Sequence, residues 1–490
     1  MIYSDTACVF ICYAAYYSYA DAHGVTHELK NKHIAKAAPG GRAAADTPLS
    51  LSTVVYFYDI IELMFKKFIQ SKLEKAVKKY FKKHPEVKLV VVVGSVGKTS
   101  TKIAIGTVLN EKLRVRLHEG NHNSELSAPL AILGIEYPSE IRRIGQWMAV
   151  FKAVRARIKQ PADVDVIVQE LGTDGIGQIP HFGTYLTPDI AVVTSVSPEH
   201  MQAFKTMDAV AAEELSAANY SKWALINRDD IPGEYASNIT DPGLNTYGTD
   251  ATAEYRFTSD DYTFEDGFSG TFTTPEWSNA EPATLHLVGE HSIRFAVAAG
   301  AVGVKLGLSQ AEVTSGMAKI RPVNGRMNIL RGLNESIIID DSYNSSPLAA
   351  ASALRALYQM NVPQRIAVLG SMNELGDMSE AQHIAIGKLC DPVELAHVIT
   401  VGEAAEQYLA PAARANGCHV VSFKSAIDAG AYTHKFLEKG AAVLFKGSES
   451  NIYLEEGIKI ILHATESESQ LVRQSPEWLE KKRAFFSDIS

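Results

Sequence analysis

Four cysteines in 490 residues (Cys8, Cys12, Cys390 and Cys418) are too few and too scattered for a disulfide framework or a zinc site. They read as hydrophobic filler, and a reducing, cytoplasmic compartment is the expectation. The apolar-aromatic stretch from Thr6 to Ala20 has 15 residues, short of the roughly 20 that cross a bilayer. It has no basic leader, which makes it a poor secretory signal. Nor is there an excess of basic charge: 47 Lys and Arg against 56 Asp and Glu leave −9, so charge gives no argument for nucleic-acid binding. What is present, 46% hydrophobic and 21% charged residues, suits an enzyme of two to four domains with large cores.

The stretch Lys88 to Lys102 carries the clearest chemistry. Its β-branched run, Leu89 to Val93, predicts a strand buried on both faces. The run breaks at Gly94-Ser95-Val96-Gly97 and meets Lys98-Thr99-Ser100, which opens a helical pattern. Strand, glycine turn and helix start make a phosphate cradle: glycines let amides approach the phosphates, and a helix N-terminus favours negative charge. Val92 stands where the longer form of this loop has glycine, so the loop is the short G-x-x-G-K-T-S form. Lys98 is expected to neutralise the β/γ oxygens of a nucleoside triphosphate, and Thr99 to ligate Mg2+.

Two more apolar runs, Val164 to Val168 and Ile190 to Thr194, read as neighbouring strands, ending at Glu170 and just before His200. Ligands of open α/β sheets sit at the carboxyl ends of strands, so Thr99, Glu170 and His200 fall on one rim as an oxygen-rich magnesium shell. The loop His118 to Glu125, with Asn121, Asn123 and Ser124, suits ligand contact, though a surface turn looks similar. Phe65, Phe68, Ile69, Leu73, Val77 and Tyr80 recur at three- and four-residue steps among eight lysines. That is a basic amphipathic helix. It either lies on an anionic membrane surface or packs its stripe on the protein with its lysines in water.

The loops GSVGKTST, GNHNSELSAP, QELG and SPEHM, then NGRMNIL, IIIDDSYNSSP, AVLGSMNELGDMSEAQH and VLFKGSES, resemble in order the motifs of the Mur ligases. The resemblance covers about residues 88 to 460. It is greatest to the branch that adds D-alanyl-D-alanine to a UDP-N-acetylmuramoyl tripeptide in peptidoglycan synthesis. It implies an ADP-forming reaction in which ATP phosphorylates a carboxylate and an amine attacks the acyl phosphate. By motif, Thr99 and Glu170 would hold one Mg2+ and His200 a second. Arg326 would reach the ATP phosphates and Asp340 the ribose, with His291 near the base. Asn344, Asn373, Glu374, Lys446, Gly447 and Ser448 would line the substrate side.

The resemblance has gaps. The family's N-terminal UDP-holding domain has no recognisable counterpart in the roughly 87 residues before the strand, which are too few and too helical in pattern. The family's carbamylated lysine, in a V-A-x-x-K setting, is absent from Val210-Ala211-Ala212-Glu213-Glu214-Leu215. Counted from Val210, Glu214 stands there and would supply a carboxylate directly; counted back from Ala224-Leu225-Ile226-Asn227, an alanine does. The family's adenine-contacting asparagines are Ser292 and Phe295 here, and Phe295 is expected to stack on the base instead. Glu449 stands where relatives often carry arginine, which blurs the acceptor.

The expected fold is α/β. A helical, partly disordered extension (1–87) carries the basic helix. A P-loop ATPase-type central domain with a parallel sheet (88–320) includes an irregular or antiparallel insertion at Thr249 to Glu281. A C-terminal Rossmann-like α/β domain (321–465) and a polar tail (466–490) follow. A cytoplasmic location, or one peripheral to the inner face of a membrane through residues 60–84, goes with this reading, as does a partner protein at that helix; no nucleic acid does. The alternatives are a related carboxylate–amine ligase with another substrate and a catalytically weakened ATP-binding scaffold. Retention of Lys98, Thr99, Glu170, His200, Arg326 and Asp340 argues against the scaffold.

Overall fold

The β-branched runs become strands, and the first of them lies inside its sheet rather than at an edge. The computed structural model describes residues 51–489 apart from 119, 121, 241 and 242, and the side chains from residue 63 onward. The stretch Thr6 to Ala20 and the Ala-, Gly- and Pro-containing segment after it lie outside the described residues. The chain forms two compact units, one of residues 51–85 with Glu125–Pro161, the other of Glu86–Ser124 with the chain from Ala162 onward.

In the first unit, helix Leu51–Lys83 packs with helices Ser127–Leu133 and Ile144–Lys159. The stripe Phe65, Ile69, Leu73, Val77 and Tyr80 is buried, each residue at most 1% exposed. Trp147, Val150, Val154 and Ile158 form the buried face of helix Ile144–Lys159. Removing one such aliphatic side chain from water stabilises the unit by about 1.5–3 kcal/mol. The lysines at 66, 67, 72, 75, 78, 79, 82 and 83 are all exposed, the arrangement expected of a helix packed on its own protein. The stripe is therefore covered and not open to lipid.

The second unit holds two sheets. The first has nine strands in the order β2-β3-β1-β4-β5-β6-β7-β8-β9. These are β1 (Lys88–Val93), β2 (Val115–Leu117), β3 (Val166–Glu170), β4 (Ile190–Val193), β5 (Ala224–Asn227), β6 (Leu244–Gly248), β7 (Tyr255–Thr263), β8 (Gly267–Thr273) and β9 (Glu281–Leu285). It is parallel from β2 to β7. The expected insertion adds β7, β8 and β9 as antiparallel neighbours. Register pairs Val92 with Glu170 and Val93 with Val193, so three loops leave the sheet along one edge. Helices Lys98–Leu109 and His291–Lys305 pack together over it, burying Ile105, Val108, Val297 and Val302.

The second sheet has six strands in the order β10-β11-β15-β12-β13-β14, with only β10 antiparallel. They are β10 (Asn328–Arg331), β11 (Ile337–Asp341), β12 (Arg365–Gly370), β13 (His397–Val401), β14 (Val420–Phe423) and β15 (Ala442–Lys446). Asp341 pairs in register with Lys446, which brings the ends of β11 and β15 together. Residues beyond 466, read as a polar tail, form an ordered close to this half. Helix Pro476–Ile489 places Trp478, Phe485 and Phe486 around the Tyr453 ring, at centroid distances of 6.4, 5.2 and 6.3 Å.

Candidate functional site

Only glycine can stand at residue 94. Its φ is +122°, and a Cβ there would come within 2.3 Å of Thr194 Oγ1 and 2.8 Å of Ser195 N. The strand exit after β4 braces the turn: Thr194 Oγ1 donates to Val96 O (2.6 Å), and Val96 N donates to Ser195 Oγ (2.8 Å). Ser95 N donates to Ser195 O (3.0 Å). Gly97, with φ +88°, starts helix Lys98–Leu109, and no side-chain hydrogen bond caps it. Its first-turn amides, which lack intrahelical partners, face the turn as an anion would require. Nothing local in the sequence marks Thr194 and Ser195, because their roles depend on partners about 100 residues away.

Lys98 Nζ donates to Gly94 O (2.5 Å) and Ser95 O (3.2 Å) and lies 3.6 Å from Glu199. Burial disfavours its charge, but Glu199, Glu214 and Glu170 outweigh that and hold its pKa above the ordinary lysine value. Thr99 Oγ1 donates to Glu170 Oε2 (3.0 Å). Glu170 is also met by Lys102 Nζ (3.4 Å) and by Asn123 Nδ2 (3.3 Å). Lys102, buried to 3% exposure, was readable as one turn beyond Thr99 on the same helix face. Its pKa is lowered by burial, against the pull of Glu170.

Glu214 Oε2 accepts from Gly94 N (2.7 Å), so its carboxylate sits against the first residue of the cradle. Burial pushes its pKa up to about 7, with Lys98 pulling the other way. The neighbouring Glu213 accepts from Gly177 N (2.7 Å) and Ile179 N (2.6 Å). Adjacent carboxylates on helix Met207–Asn219 thus hold two different loops.

The second sheet contributes across the same site. Arg326 Nη2 donates to Thr99 Oγ1 (3.2 Å), and its guanidinium lies 4.2 Å from the Tyr343 ring centroid. His200 Nδ1 meets Glu374 Oε2 at 2.9 Å. That bond raises the His200 pKa, against burial, and lowers that of Glu374. Lys446, 3% exposed, bonds Asp341 Oδ2 (2.9 Å) and Asn344 O (2.5 Å). Asn373 N donates to Ser448 Oγ (2.8 Å). Gly447 packs so closely that a Cβ would lie 2.9 Å from Leu454 Cδ1.

Not every expected residue faces the cradle. Asn121 lies outside the described residues, and Ser124, in the same loop, is exposed. Asp340, expected at the ribose, is 0% exposed. Its Oδ1 accepts from Ser342 N and Oγ (3.1 and 2.6 Å), and Oδ2 has no partner among the described residues. Strand alternation turns Asp340 inward, so it offers no surface to a nucleotide here; Asp341, on the other face, meets Lys446. Phe295, expected to stack on a base, packs against the core of the first sheet. His291 begins its helix with its pKa pushed down to about 4 by burial. Ser100 lies on the first turn without a bond that assigns it a part. Among the described residues, no three His, Cys, Asp or Glu side chains converge as a metal cage. The Thr99–Glu170 pair instead suits an ion that keeps several waters, as Mg2+ does.

Residues 92–303 match the Mur ligase middle domain, and residues 325–449 the Mur ligase glutamate ligase domain. The UDP-N-acetylmuramoyl-tripeptide–D-alanyl-D-alanine ligase of Bacillus subtilis is 27% identical over 384 residues, covering 77% of this chain and 76% of that protein. The Escherichia coli enzyme of that name is 24% identical over 64% of this chain, which spans 65% of the relative's length. Among solved structures, MurF from Acinetobacter baumannii aligns with a TM-score of 0.66 at 21% identity, over 79% of each chain. MurF from Thermotoga maritima in complex with ADP aligns at 0.64 and 21% identity, over 81% of this chain and 84% of that one. These likenesses are in fold.

Proposed function

The chain belongs to the Mur ligase family, and from that premise we propose that it is the ATP-dependent ligase joining D-alanyl-D-alanine to a UDP-N-acetylmuramoyl tripeptide. The observation that carries this is the junction at Thr99. Its hydroxyl is shared by Glu170 of the first sheet and by Arg326, two residues before β10 of the second (3.0 and 3.2 Å).

The cradle amides and Lys98 would bind the β/γ-phosphates, and Lys98 would leave the Gly94 and Ser95 carbonyls to do so. Arg326 would bear on the γ-phosphoryl as it passes to the tripeptide carboxylate, stabilising charge that develops in transfer. Thr99 and Glu170 would hold Mg2+, with His200 toward a second ion and Glu214 as an anionic group beside Gly94. The ion would neutralise phosphate oxygens. Lys446, Asn344, Asn373, Gly447 and Ser448, at the second sheet's edge, would orient the peptide and the attacking amine. Drawing the groups from two sheets lets closure exclude water from the acyl phosphate.

Surface contact is a separate proposal. The eight exposed lysines of residues 66–83, with Glu74 the one acid among them, favour an anionic surface. The covered stripe limits that contact to charge.

Phosphate release from ATP and Mg2+ tests the ligase reading, using the UDP-muramoyl tripeptide with D-alanyl-D-alanine and controls omitting each. Release that needs both is expected. ATP binding with release indifferent to both would overturn it.

A further inference from the structure

We propose that Arg473, seconded by Val472, is a positioning residue that aims Arg326 at the phosphate cradle through Tyr343. Both lie beyond the segment 325–449 that matches the family. The proposal rests on the reading that Arg326 meets the ATP phosphates.

Arg473 is 8% exposed, with its backbone at φ +56°, a conformation that surrounding contacts must impose on a non-glycine residue. Its guanidinium forks onto Glu455, Nε to Oε1 at 2.8 Å and Nη2 to Oε2 at 2.6 Å. Glu455 is 0% exposed and has a second cation, Lys482 Nζ at 3.3 Å, from helix Pro476–Ile489. The remaining Arg473 donors reach back to the loop after β11: Nη1 to Tyr343 O (2.9 Å) and Nη2 to Ser342 O (2.8 Å). A planar, pre-organised fork suits two carbonyls and a carboxylate at once; a lysine would not span them.

Those bonds fix the residue on which Arg326 rests. Tyr343 N donates to Gly325 O (3.0 Å), and the Tyr343 ring carries the Arg326 guanidinium at 4.2 Å. Gly325, at φ +68°, is walled in: a Cβ there would come 2.6 Å from Val472 Cγ1 and 3.2 Å from Tyr343 Cβ. The C-terminal segment and Tyr343 thus close on the residue before Arg326, whose Nη2 is 3.2 Å from Thr99 Oγ1. An arginine already held on an aromatic face loses less rotamer freedom when a phosphate binds. Without Arg473, the Tyr343 carbonyl loses this donor and the loop that carries the ring is held less firmly.

The test is the ATP dissociation constant, with Mg2+ and no acceptor, by calorimetry on the full chain, with thermal unfolding run alongside. Arg473→Gln is expected to weaken ATP about tenfold and Tyr343→Leu comparably. In an Arg326→Met background, Arg473→Gln should add less than about twofold, the signature of one residue acting through another. Lys482→Met, which loosens the same helix but leaves the Arg473 bonds, should lower Tm without moving ATP affinity. Full additivity in the double variant would overturn the proposal, as would unchanged affinity in Tyr343→Leu. If Arg473→Gln does not fold, Arg473→Lys, which keeps the charge and loses the fork, takes its place in the same cycle with the same expected losses. An Arg326→Met protein that binds ATP normally overturns the underlying reading of Arg326, and this proposal with it.

Discussion

Asp340 shows how a residue can be prominent in sequence and sit elsewhere in space. The D-D-S-Y-N run marks it, but β11 turns it into the protein, where burial raises its pKa to about 6, against the Ser342 bonds. The unfolded carboxyl titrates near the ordinary aspartate value of 3.8, so the folded state holds the proton more tightly between those two values. Stability therefore falls as pH rises from about 4 to about 6, and the group adds no further pH dependence above that. The full swing is about 3 kcal/mol. Asp340→Asn removes the titration while keeping an acceptor for Ser342. Its urea midpoint, measured against wild type at pH 4 and pH 7.5, should gain on wild type as pH rises. Parallel profiles would refute the buried charge. The cradle, by contrast, was legible residue by residue, because Gly94, Lys98 and Thr99 are neighbours in sequence. The hydroxyl braces at Thr194 and Ser195 were not: a serine or threonine ending a strand is unremarkable until register places it against Val96.

Among elements, helix Leu51–Lys83 was legible as a helix and ambiguous in use. Periodicity marks an apolar stripe but not what covers it, and helices Ser127–Leu133 and Ile144–Lys159 supply the cover. Leu73, 0% exposed at the centre of the stripe, should then behave as a core residue. Leu73→Ala is expected to cost about 2–5 kcal/mol, read as a fall in the stability of this unit. Charge should behave independently of the stripe. Replacing Lys75, Lys78, Lys79 and Lys82 by Gln should leave folding intact and abolish any salt-sensitive sedimentation with phosphatidylserine vesicles, each lysine contributing about 1 kcal/mol near such a surface. Wild type that fails to sediment at low salt would remove the membrane proposal. The tail shows the opposite difficulty. Its composition reads as a polar tail, yet Arg473 and Lys482 are among the most buried cations because Glu455 awaits them. Composition over 25 residues could not show a partner that precedes it in the chain.

At the scale of the second unit, the two sheets meet through short loops as well as through Arg326. Met201 N donates to Glu374 O (3.0 Å), His200 Nδ1 meets Glu374 Oε2 (2.9 Å), and Gly376 lies against Gln202. Glu374 holds φ +66°, a left-handed backbone that a loop free of these contacts would leave. The pairing reads as a latch between halves. Because the Glu374 carboxylate is 56% exposed, its bond is worth at most about 1 kcal/mol. Glu374→Ala should accordingly slow turnover only about fivefold. A latch and a substrate contact predict different kinetics. If Glu374 acts by holding the halves together, kcat falls while KM for D-alanyl-D-alanine and the ATP dissociation constant stay within about twofold, since each ligand still finds its own sheet edge. If it touches the dipeptide, KM rises and kcat at saturation recovers. The backbone bond from Met201 survives the substitution, so a large loss of ATP affinity would fit neither account and would mean that the latch also shapes the cradle.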